Sequence, residues 1–179
     1  MSKKPDSDIT QNFGHLAAVR IGLTAEVRHR SVAALNRMLA HALALRDLYK
    51  KAHWQTAGAT FYELHLLFDK HHDAQLELAD ALAERVQTLG GVALALAHDV
   101  VEESHIARAP RDREAPAAQL SRLLDAHELV LTEARSLARQ AAADGDDGSN
   151  DLLVSQVVRG NELQSWMIGE HLSGRTRIN

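Results

Sequence analysis

Between Ala52 and Gly91 the chain carries five side chains able to bind a metal: His53, His65, Asp69, Asp80 and Glu84. His65 and Asp69 stand at i and i+4, as do Asp80 and Glu84, so on a helix each pair shares one face. Asp80 follows Asp69 by eleven positions, close to three full turns, so both pairs fall on roughly the same stripe. The centres of the pairs are about 15 residues apart, which is roughly 22 Å along a helix. Metal–ligand bonds are near 2 Å, so one copy of the helix cannot close both pairs on a single ion. Two antiparallel copies crossing near Asp73 to Gln75 can, with His65 and Asp69 of one facing Asp80 and Glu84 of the other. A two-fold axis then generates two equivalent sites, and His53, at the end of the preceding helix, completes the set. Imidazole and carboxylate donors suit iron, with manganese and zinc as competitors. A lone polar i, i+4 pair is ordinarily solvated surface. Two such pairs and a further histidine that converge on one two-fold solution argue for a shared metal site.

The elements that must position these residues are readable from periodicity. An amphipathic pattern through Val32, Leu35, Leu39, Leu43 and Tyr49 predicts a helix from Thr24 to about Ala57, ended by Gly58. A second helix is expected from Phe61 to Leu89, with the stripe Leu64, Leu67, Phe68, Leu76 and Leu82 and a stop at Gly90-Gly91. A short helical segment falls within Val92 to Glu103, followed by a loop over Ala107 to Arg113 around Pro110. A third long helix is expected over Pro116 to Ala143, with proline suited to its first turn. The run Asp144 to Asn150 breaks the chain, and a fourth helix follows from Asp151 to Leu172. Four long helices with one long central connection predict an all-α, ferritin-like four-helix bundle with a short extra helix in that connection. On this reading residues 1–23 form a mobile or partly ordered N-terminal tail, 24–172 the bundle, and 173–179 a short C-terminal tail.

Composition agrees and narrows the options. The 179 residues are 45% apolar and 4% aromatic, with only 3 prolines, a mix that favours helix over sheet. There is no cysteine, which excludes disulfides, thiolate metal sites and cysteine nucleophiles. The formal net charge is -4, unlike a strongly basic nucleic-acid domain. The N-terminus has no secretory pattern and no run is long enough to span a bilayer, so a cytoplasmic protein without a membrane partner is expected.

The segments Lys51-Ala52-His53-Trp54-Gln55, Phe61 to Asp69, Asp80-Ala81-Leu82-Ala83-Glu84-Arg85 and Leu89-Gly90-Gly91 closely resemble the Dps family, the DNA-binding proteins from starved cells. The family pattern is an AHWN-like end of the first helix, then LHxxxD and DxxAER in the second, then a Gly-Gly stop. All occur here in order, and the similarity extends over roughly residues 31 to 172, including Leu35-Asn36-Arg37 and, more weakly, Trp166. Gln55 departs from the usual Asn at a position that is not a ligand. The resemblance implies that His53, His65, Asp69, Asp80 and Glu84 are ferroxidase ligands at a site shared between two subunits. It implies a hollow dodecamer that oxidises Fe(II), preferentially with hydrogen peroxide or more slowly with dioxygen, and stores ferric mineral against oxidative stress. Trp54 matches a family tryptophan beside the site that intercepts stray oxidising equivalents; simple core packing is its equal alternative.

Other groups carry less. Glu26 to His29 and Glu102 to His105 are Glu-x-x-His strings, as in di-iron bundle cores, but neither is central in a long helix. His71 and His72 read as exposed polar positions rather than an extension of the metal site. His41, His98, His127 and His171 read as ordinary surface or half-buried histidines. A tail metal site at Asp6, Asp8 and His15 has no spacing logic behind it. Glu114, Asp125 and Glu128, near the start of the third helix, are candidates for the acidic iron-admitting pores that the resemblance implies. DNA contact would fall to Lys3, Lys4, Arg20, Arg28, Arg30, Arg175 and Arg177. Twelve copies of a small basic patch act multivalently, but the negative balance predicts no tight DNA binding at physiological salt. A nucleoid protein that compacts DNA, with iron oxidation secondary, is the rival expectation.

Overall fold

The computed structural model describes residues 8–173 and is all-helical among them. Its elements are α1 (Ala25–Gln55), α2 (Phe61–Thr88), α3 (Ala97–Glu103), α4 (Pro116–Ala143), α5 (Asp147–Leu152), a π-helical segment (Leu153–Val158) and α6 (Arg159–Leu172). α1 pairs with α2, α4 pairs with α6, and α3 in the long connection lies on α1. This is the expected four-helix bundle with its extra short helix.

Local chemistry explains the boundaries. The Thr24 side chain accepts from the Val27 amide and caps α1. α2 and α4 both end in paired backbone bonds that need left-handed backbone at one residue. Gly90 (φ +83°) donates to Gln87 and Gly91 to Val86 at the end of α2. Gly145 (φ +74°) donates to Ala142 and Asp146 to Ala141 at the end of α4. Pro116 opens α4 as expected.

The last helix starts earlier than its periodicity suggests. Asp146 accepts from the Ser149 amide and caps α5 at once, so the acidic run is a cap rather than an extended break. The π-helical segment that follows inserts extra residues per turn, and this slip turns Asn161, Gln164 and Ile168 into the bundle.

Two apolar clusters fill the bundle. One holds Leu35, Leu39, Leu82, Val86, Ala134 and Leu153; the other holds Leu45, Tyr49, Leu64, Phe68, Leu123 and Ile168. Between them, in chain position on α2, α4 and α6, lies a buried polar layer of His71, Gln75, His127, Asn161 and Gln164. Residues 8–24, ahead of α1, are tied to the end of α2: Ala17 donates its amide to Gly90 at 2.8 Å, and Arg28 Nη1 donates to Ala17 and Leu89. Lys3, Lys4, Asp6, Arg175 and Arg177 lie outside the described residues.

Candidate metal centre

The site is built at the corner where α1 hands over to α2. His53, in the last turn of α1, and His65, in the second turn of α2, stack with ring centroids 3.7 Å apart. Their backbone relation is reciprocal. His53 Nδ1 donates to the His65 carbonyl at 2.9 Å, and His65 Nδ1 donates to the His53 carbonyl at 3.1 Å. A carbonyl only accepts, so in each neutral ring the proton sits on Nδ1 and Nε2 carries the lone pair. This is the state in which imidazole binds a metal, and the backbone bond on the other nitrogen fixes the ring.

Asp69 stands one turn beyond His65. Its Oδ1 is 3.7 Å from His53 Nδ1 and 2.5 Å from Lys50 Nζ. The hydrogen bond from Lys50 holds the Asp69 carboxyl below the ordinary carboxylate range, with smaller help from the charges of Lys50, His53 and His72. The fold thus brings His53, His65 and Asp69 together. It leaves Asp80 and Glu84 exposed farther along α2, Asp80 about 16 Å beyond Asp69 by helical rise. One subunit therefore presents two separate half-sets, as the spacing requires.

The two half-sets are symmetric about the point between Ala74 and Gln75. On that stripe Tyr62, Leu66 and Leu76 are large apolar side chains left in solvent, and Asp73 is exposed near its middle. Trp54, next to His53, is 69% exposed, together with Phe61. Core packing within the subunit is therefore not the role of Trp54.

Three histidines depart from the sequence reading. His71 is buried rather than exposed, with Nδ1 3.1 Å from the Tyr49 hydroxyl. His127 is fully buried, hydrogen-bonded to Tyr49 through Nε2 and to Asn161 through Nδ1 at 2.8 Å. Burial pushes both rings down to about 4, so both are neutral near pH 7. His41 is fully buried as well. The cause in each case is the helix face: these positions point inward, and each ring gains a polar partner there. His72 is partly exposed and bonds to Asp73. His98 and His171 are exposed as expected.

The polar layer holds no carboxylate, so the Glu-x-x-His arrangement of a di-iron bundle core is absent from it. Glu26 instead pairs with Arg30. Of the acidic pore candidates, Glu114 is bound by Arg122 at 2.6 Å, which holds its carboxyl below the ordinary range, whereas Asp125 and Glu128 are exposed. No helix among the described residues is long and apolar enough to cross a membrane.

Comparison with known proteins defines the class. Residues 32–178 match the ferritin family, described as a ferritin-like domain. The structure of DpsC from Streptomyces coelicolor is 50% identical in sequence and superposes with a TM-score of 0.93, covering 96% of this chain and 99% of that one. The chain is therefore a member of the Dps family. The Dps protein from Vibrio cholerae O1, described as belonging to a broad superfamily of ferritin-like diiron-carboxylate proteins, is 26% identical with a TM-score of 0.82, covering 89% of this chain and 99% of that one. A relative in Synechococcus sp., the nutrient stress-induced DNA-binding protein, is 27% identical over 88% of this chain and 89% of its own.

Proposed function

We propose that this protein is a mini-ferritin that oxidises Fe(II) at a site shared by two subunits and stores the ferric product inside a closed homo-oligomeric shell, a dodecamer. The observation that carries the reading is the pair of half-sets along α2, one of them joined by His53 of α1. His53, His65 and Asp69 gather at one end, and Asp80 and Glu84 wait at a position related to them by a two-fold through the middle of the helix.

On this reading two copies of α2 cross antiparallel near Asp73 to Gln75, on the face that leaves Leu66 and Leu76 exposed. Fe(II), the substrate, is held by Asp80 and Glu84 of one copy with His65, Asp69 and His53 of the other. The carboxylates stabilise the ferric charge, and the neutral Nε2 atoms complete the coordination. Two electrons, one from each of two Fe(II) ions, pass with two protons to hydrogen peroxide, which leaves as two waters, or the electrons pass more slowly to dioxygen. Because peroxide and Fe(II) are consumed together, hydroxyl radical formation is suppressed. Zinc and manganese compete for the same ligands. Trp54, exposed beside His53, is placed to intercept oxidising equivalents that escape. Asp125 and Glu128 are the acidic residues left to draw Fe(II) toward a pore. The protein acts in the cytoplasm, where loose nucleoid association is its expected DNA contact.

Anaerobic loading with Fe(II) followed by a hydrogen peroxide pulse tests this. Wild type should give fast ferric absorbance and a soluble product, and Asp80→Ala with Glu84→Ala should give neither. Matching wild-type and variant rates at the protein-free level would remove the ferroxidase assignment. The name of the Synechococcus relative supports the rival, a DNA-compacting protein. A gel shift across salt separates the two, since retention of DNA only at very low salt rejects compaction as the main role.

A further inference from the structure

Away from the α1–α2 corner, three side chains from three segments converge. They are His41 in the middle of α1, His105 in the connection just past α3, and Glu133 in α4. Each oxygen of one carboxylate takes one imidazole. His105 Nδ1 lies 2.8 Å from Glu133 Oε1 and His41 Nε2 lies 3.3 Å from Glu133 Oε2. All three donor groups have an atom within 4.8 Å of the others. The His41 ring has no solvent exposure, while the side chains of Glu133 and His105 are 24% and 53% exposed.

We propose that His41 Nε2, His105 Nδ1 and Glu133 bind a divalent transition-metal cation within a single subunit, with solvent in the fourth position. Two imidazoles and one carboxylate form a recognised ligand set for an open tetrahedral site. Ligands about 2.0–2.1 Å from a tetrahedral cation stand about 3.3 Å from one another. The His41–Glu133 separation has that value already, and the widest separation, within 4.8 Å, must close by at most about 1.5 Å. The exposed His105 ring, on a non-helical segment, can supply that movement.

The rest of the cluster is held. His41 Nδ1 is 3.1 Å from Ser104 Oγ, and that hydroxyl also accepts the Ile106 amide at 3.3 Å. The Ser104 contact aims His41 Nε2 at Glu133, as an outer-shell partner aims a metal-bound histidine. Access is also present: His105 lines a cavity of about 180 Å³ together with Asp125 and Arg122. Asp125 offers an entering cation a carboxylate on the way. A bound ion would tie the connection after α3 to both α1 and α4.

The experiment uses the full-length protein carrying Asp80→Ala and Glu84→Ala, which removes the proposed inter-subunit set. Cobalt(II) is titrated under anaerobic conditions, read by its visible absorption and by equilibrium dialysis. The expected result is about one Co²⁺ per subunit with a tetrahedral spectrum, weakened at least about ten-fold by adding His105→Ala or Glu133→Gln. Absence of that cobalt, or cobalt unaffected by either substitution, overturns the proposal. If the double-variant background fails to fold, His105→Ala alone is read in the otherwise native chain. There it must lower bound cobalt by about one ion per subunit and leave the rate of iron oxidation unchanged; no loss of cobalt overturns the site. Cobalt that follows His105 in a protein that oxidises no iron would leave this site standing and remove only the ferroxidase reading.

Discussion

At the scale of single residues, the reciprocal bonds between His53 and His65 set what the corner can do. Each ring orients the other through a backbone carbonyl, so losing one ring also loosens the second. His65→Ala should therefore slow ferric formation at least about ten-fold. The ring is only partly buried, so the thermal midpoint should stay close to wild type; stopped-flow absorbance and a melt check both halves. His127 makes the opposite kind of prediction. Its folded-state value is pushed down to about 4 by burial, from an ordinary value near 6.5. A histidine depressed in this way stabilises the fold fully above its unfolded value, and that contribution is lost as pH falls from about 6.5 toward about 4. The loss amounts to about 3 kcal/mol. His127→Gln should flatten the fall in melting temperature between pH 7 and pH 4.5, and an equally steep fall in the variant would refute the assignment.

At the scale of elements, the start of α5 is pinned by one buried carboxylate. Asp146 caps the helix through the Ser149 amide, accepts Ser31 of α1 at 2.5 Å, and pairs with Arg85 of α2 at 2.6 Å. Burial alone would raise its carboxyl, but the hydrogen bonds from Ser31, Ser149 and Arg85 outweigh that and hold it low. Asp146→Ala removes a cap and strands a guanidinium, so a destabilisation of about 3–5 kcal/mol is expected in denaturant unfolding. The Gly-Gly end of α2 is the second joint. A Cβ on Gly91 would stand 2.7 Å from both methyl groups of Val32, a branched side chain held in the core. Gly91→Ala should cost about 1–3 kcal/mol through overpacking, measured by the same unfolding series.

At the scale of the whole molecule, the proposed shared site depends on the exposed stripe on α2. Leu66 and Leu76 are about half exposed in the isolated subunit, on the face that also carries Asp69, Asp80 and Glu84. Leu66→Glu with Leu76→Glu would bring like charges and desolvated carboxylates to the proposed two-fold. Sedimentation should then show small species in place of the shell, and iron oxidation should fall although all five ligands remain. Retention of both assembly and activity would place the interface elsewhere. In the proposed shell the negative net charge, repeated over the subunits, should confine DNA retention to low salt, which a gel shift across salt checks.

The sequence by itself determined the helices, because apolar spacing, Pro116 and the glycines after α2 and α4 act locally. It also determined the two half-sets on α2, because i, i+4 spacing alone puts each pair on one face. Only the tertiary structure decided which polar residues turn inward. His41, His71 and His127 look like surface or half-buried positions in the chain, but packing of one element on another buries each ring and gives it a polar partner from a distant segment. The same holds for the His53–His65 stack and for the meeting of His41, His105 and Glu133. Those contacts depend on helix rotation, which a π-helical slip such as Leu153–Val158 changes and which no local pattern encodes.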